Sequence, residues 1–115
     1  MREKETNITK YLDEVRQRLQ MFIDPVTPEM LKCFLDGFWA GCLATNDKLD
    51  VYDRIRFSMQ VISERGWEVC STSVAKEMRE RGIDEEAIIE EMLQIEIDIW
   101  HRIGNKLRSD SQASG

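Results

Sequence analysis

An all-α fold, a single compact bundle of about five helices, is what the sequence predicts, and three observations predict it. Apolar residues recur at intervals of three and four over most of the 115 residues, the spacing that gives each helix one buried stripe. Cap residues and glycine stops bracket these stretches. The one free-standing strand candidate, residues 67–71, is short, and a lone two-stranded ribbon is marginal. The length suits one domain over residues 1–108, with residues 109–115 a polar tail expected to be disordered.

The first helix is expected over residues 8–22, behind a cap at Thr6 or Asn7. Ile8, Leu12, Val15, Leu19 and Phe22 form its stripe, with Asp13, Glu14, Arg16 and Arg18 opposite. Residues 24–28 break the chain and restart it. Thr27 is a good N-cap, and Pro28 suits the first helical position because its missing N–H had no partner to lose. The second helix then reaches about Ala44. Its apolar residues cover more than half the circumference, so it is expected to be the most buried.

Asn46 and Asp47 start the third helix, which runs to Arg65 with Gly66 as its stop; Val51, Tyr52, Ile55, Met59 and Ile62 form its main stripe. After an irregular piece, residues 67–72, Ser73 caps a fourth helix over residues 74–81, ended by Gly82. Asp84 caps the fifth, Glu85 and Glu86 fall in its favourable first turn, and it runs to about Lys106. Within it Ile95, Ile97 and Ile99 alternate with Glu96 and Asp98 like a strand. The longer frame of Ile88, Met92, Ile95, Ile99 and Ile103 is helical and decides the assignment. Helices two and five are expected to form the core, with helix one packed across them.

Sixteen Lys and Arg face 22 Asp and Glu, a net charge of −6. A domain that grips phosphates carries a basic face, so direct nucleic-acid binding is disfavoured. A basic protein surface is the complementary partner. The three cysteines, Cys33, Cys42 and Cys70, include no CxxC pair, and the opening Met-Arg-Glu-Lys-Glu lacks the apolar run of a signal peptide. A reducing, cytoplasmic setting is therefore expected. The longest near-apolar run, residues 33–44, is shorter than the roughly 20 residues a membrane span needs, so no membrane association is expected.

Candidate chemistry is sparse. Cys33 and Cys42 fall on opposite sides of a helix, and with one histidine no four-ligand zinc set has recognisable spacing. Asp98 and His101 resemble half of a di-iron motif whose second histidine is missing. Asp47, Asp50 and Asp53, spaced i, i+3, i+6, could present carboxylates to magnesium and a phosphate substrate; the plainer reading is acids complementing a helix N-terminus. No Gly-x-Ser-x-Gly elbow or glycine-rich phosphate loop occurs, and the cysteines, set among apolar neighbours, read as buried and inert. The turn at Gly82 could join a helix-turn-helix, but its second helix opens with Asp84, Glu85 and Glu86, which would meet phosphate with negative charge. Gly37-x-x-x-Gly41 reads as a close helix–helix approach within the fold. No catalytic set, cofactor or metal is expected.

What remains is a surplus of apolar faces. Helix five carries a second stripe, Ile89, Leu93, Trp100 and Leu107, and Glu96 falls between its two stripes, where a carboxylate is expected to be partly buried and paired with an Arg. Helix three carries Phe57 and Val61 away from its main stripe, with Arg54 beside them. Either both helices are central and touch two neighbours each, or one surplus face meets a partner. The second reading places a partner-binding site at Arg54, Phe57 and Val61, bordered by Asp50 and Glu64, because an aromatic beside an Arg within a charged rim is the usual anchor of an interface. The chain is thus expected to be a small acidic, non-enzymatic protein-binding module. An immunity, antitoxin or phage-type inhibitor protein that blocks a basic surface of its target fits these traits, and a homodimer is the other use of the same face. A small metal-dependent enzyme working through Asp47, Asp50 and Asp53 is the alternative.

Overall fold

Five α-helices account for most of the chain in the computed structural model, which describes residues 7–68 and 74–114, with side chains through residue 110. They are α1 (Asn7–Gln17), α2 (Pro28–Thr45), α3 (Val51–Glu64), α4 (Val74–Glu80) and α5 (Glu85–Ser114), with a 3-10 turn at Leu19–Met21 after α1. No strand occurs among the described residues. The expected caps at Thr6 and Ser73, and the thiol of Cys70, lie outside them.

Local chemistry sets the helix ends. Thr27 Oγ1 accepts the N–H of Met30 at 3.1 Å with Pro28 in the first turn, opening α2 as expected. Asp84 Oδ1 accepts the N–H of Ala87 at 2.9 Å and opens α5. The start of α3 moves from the expected Asn46 or Asp47 to Asp50, whose Oδ1 accepts the N–H of Tyr52 at 2.8 Å. Gly66 and Gly82 take positive φ, +90° and +84°, a backbone only glycine adopts freely. Around each, the next residue's N–H reaches back into the last turn: Trp67 to the Ile62 carbonyl, Ile83 to the Met78 carbonyl, both at 3.0 Å. Both ends are Schellman stops.

α5 is the centre of the molecule: α1, α2, α3 and α4 all pack against it. Its middle, from Ile95 through Ile97 to Trp100, is buried on every side except at Asp98, so the strand-like alternation of isoleucines is the mark of a helix with neighbours all round. Leu12, Leu31, Ile88 and Leu93 are fully buried, each stabilising the fold by about 1.5–3 kcal/mol relative to exposure. α5 also runs on to Ser114, through the segment expected to be a polar tail. A Lys106–Asp110 ion pair at 2.7 Å spans one turn of that extension.

Three expectations about packing fail. α2 is not the most buried helix: it contributes one stripe, Pro28, Leu31, Leu35 and Trp39, while α5 gives the core its largest share of buried residues. Gly37 and Gly41 are exposed, and a Cβ at either would meet no atom within 4 Å, so this spacing brings no second helix close. Cys33, expected to be buried, is exposed on the same face.

Candidate functional site, a groove between the second and third helices

The five residues of the expected site do share one side of α3, but that side is turned inward. Phe57 is 8% exposed and Val61 2% exposed, both in the main core. Arg54 reaches α5, where its Nη1 and Nη2 donate to Glu96 Oε2 and Oε1 at 2.8 and 3.0 Å. At the ends of the stripe Asp50 is the helix cap and Glu64 accepts from Arg102 of α5 at 3.1 Å. This face is therefore the seam between α3 and α5, not a free docking surface. The cause is the Arg54–Glu96 pair, which can form only with Phe57 and Val61 also turned towards α5.

The expected core stripe of α3 lies outward instead. Tyr52 is 76% exposed, Ile55 50% and Met59 49%. Ile55, Met59 and Ile62 form one wall of a groove of about 560 Å³, and Leu35 and Trp39 of α2 form the other. Met92, Ile95 and Ile99 of α5 make its floor, and Val74 and Ala75 of α4 close one end. The groove is the gap left where α2 and α3 each pack on α5. Large apolar side chains lying open to water in a single patch mark an interaction site more often than an ordinary monomer surface.

One polar group interrupts the floor. Glu96 is 5% exposed and is held by three donors: the two from Arg54 and the indole N–H of Trp100 at 3.0 Å. The expectation of a buried, Arg-paired Glu96 is borne out. The Arg54 guanidinium also lies over the Trp39 ring, 4.8 Å from its centroid, a cation–π contact that fixes the α2 wall against α3. Trp39 and Trp100 sit 5.2 Å apart, so the groove has a tryptophan in its wall and another just beneath.

The groove is lined by one hydroxyl, Ser58, and by no histidine. Burial pushes the neighbouring Cys42 thiol up, against the opposing charge of Arg54, so it stays protonated at neutral pH and unreactive. The aspartates proposed for metal are not brought together. Asp47 is exposed, Asp50 is committed to capping, and Asp53 binds Arg56 at 2.9 Å and Lys106 at 3.3 Å. No group of three or more His, Cys, Asp or Glu side chains that could hold a metal occurs among the described residues. His101 is exposed, and Asp98, the other half of the di-iron-like spacing, accepts from Gln94 and Arg65.

Sequence reasoning missed this site because it assigned the apolar stripe of α3 to the core. A signal was present: Arg54, Phe57 and Val61 share a face, and a buried Glu96 requires an Arg. No helix among the described residues is long and apolar enough to cross a membrane. Compared with known proteins, the chain matches no family model, no curated protein and no solved structure.

Proposed function

We propose that this chain is a non-enzymatic protein-binding module that acts by occupying a surface of another protein, in the manner of an immunity, antitoxin or inhibitor protein. The observation that carries the reading is the exposed apolar wall of α3, Ile55 and Met59, lining a groove with Trp39. The net charge of −6 supports a basic target, since complementary charge raises the association rate and makes it fall with salt. The site therefore moves from the inward face at Phe57 to the outward face of the same helix.

The test is site-specific photo-crosslinking in the source cells, with benzoylphenylalanine replacing the exposed Tyr52, one helical turn from Ile55 of the groove wall, or Asn105 away from it. The expected result is one protein partner joined from position 52 and not from position 105. Met59→Lys should then weaken the purified complex by about 1–3 kcal/mol while leaving the melting temperature unchanged. Phe57→Ala, in the core, should instead cost about 3–5 kcal/mol of folding stability. A complex indifferent to Met59→Lys, or crosslinks equal from both positions, overturns the reading.

A further inference from the structure

Resting on that reading, we propose that the groove between α2 and α3 receives an amphipathic helix with basic flanks, contributed by a different protein. The shape argues for a helix. From Pro28 to Trp39 the α2 wall rises about 17 Å, three helical turns at 1.5 Å per residue. Both walls and the floor are themselves helices, so the vacancy is one helix position in a bundle, and a helix laid there would bury its apolar stripe on three sides. An extended strand would find no sheet edge to pair with among the described residues.

Charge selects the flanks. Along the groove Arg54 cancels Glu96, and Lys32 pairs with Asp36 at 2.7 Å. The remaining lining charges are Glu29 and Glu68, both at the end closed by α4, where Arg79 is shared by Glu29 and Glu85 and leaves that trio one negative charge in excess. The connection over residues 46–50 turns the chain back between α2 and α3, and it places the exposed Asp47, Lys48 and Asp50, one negative charge in excess, at the opposite end. A helix lying between these ends meets acid at each terminus. Lys or Arg before and after an apolar stripe complements that field, and acidic flanks are repelled. A second copy of this chain brings another −6 to the same acidic rim, so charge favours a heterologous occupant over self-pairing.

The test uses the full chain and three synthetic 14-residue peptides, with binding followed by tryptophan fluorescence and calorimetry. One carries Leu at helical i, i+3, i+4 spacing with Lys elsewhere; one keeps the Leu pattern with Glu; one scrambles the Leu/Lys peptide. The patterned Lys peptide is expected to bind at least tenfold more tightly than either other peptide. Its affinity should fall with added salt and drop at least tenfold in Ile55→Asp, a variant on the exposed wall that leaves the melting curve in place. Equal affinity for the scrambled peptide, for the Glu peptide, or for Ile55→Asp overturns the proposal. So does a concentration-dependent dimer that Ile55→Asp abolishes, because the occupant is then a second copy. A partner crosslinked at position 52 through a non-helical segment defeats this inference and leaves the proposed function standing; absence of any protein crosslink defeats both.

Discussion

At the scale of single residues the molecule turns on one buried ion pair. Glu96 is almost sealed, and its carboxylate is satisfied by Arg54 and Trp100. A pair of this kind adds little net stability over a well-packed apolar pair of similar volume, because desolvating both charges offsets most of their attraction. Breaking it from one side is costly, since the surviving charge stays buried alone. Glu96→Leu should therefore lose about 3–5 kcal/mol of unfolding free energy, and Arg54→Met/Glu96→Leu should recover most of that loss. Urea unfolding of the singles and the double closes this cycle; additive losses would show that the two charges do not act as a unit. The inward Glu96 was legible because it sits between two apolar stripes of one helix. Its partner was not, because an Arg beside a Phe looks like an interface anchor until the distant carboxylate it serves is known.

At the scale of elements, the helices and their ends were largely legible, and their rotation was not. Caps and stops act through neighbours in sequence, so Thr27, Asp84, Gly66 and Gly82 work as their residue types dictate. Which side of α3 faces inward depends on what α5 offers, and its two apolar stripes compete on nearly equal terms. α2 failed similarly: of the apolar residues that cover more than half its circumference, Met30 is exposed and Phe34, Phe38, Cys42 and Leu43 are only half-buried. Asp50 gives the sharpest test at this scale. Its carboxylate satisfies the Tyr52 N–H, so Asp50→Ala should cost about 1 kcal/mol through loss of the cap, and Asp50→Asn should retain most of the stability. Thermal melts check the order. A magnesium-dependent rise in melting temperature, abolished by Asp50→Ala, would instead restore the metal reading of Asp47, Asp50 and Asp53.

At the scale of the whole molecule, ion pairs lace the outer helices to α5 and tie its stability to pH. The Arg79 side chain bonds Glu29 and Glu85, joining α2, α4 and α5, and holds Glu29 down at about 2 and Glu85 below its usual range. Arg102 lowers Glu64, and Arg65, against some desolvation and with help from the Trp67 indole, lowers Glu91. Each of these carboxylates titrates lower folded than unfolded, so the folded state holds fewer protons in acid. The stability they contribute is complete above the ordinary glutamate value of 4.5 and is lost as pH falls from there through the folded values, down to about 2 for Glu29. Glu29, Glu64 and Glu85 face water and each contributes little; Glu91, more enclosed and bonded to both Arg65 and Trp67, contributes more. The urea midpoint should thus be flat from neutral pH to about 5 and decline steadily below 4.5. Arg65→Ala should lower the neutral plateau and flatten that decline, since without its guanidinium Glu91 loses the main cause of its depressed pKa. Added salt should flatten it as well, by screening the exposed pairs. A midpoint that holds or rises between pH 5 and pH 3 would mean that relief of the chain's excess negative charge outweighs the loss of these pairs.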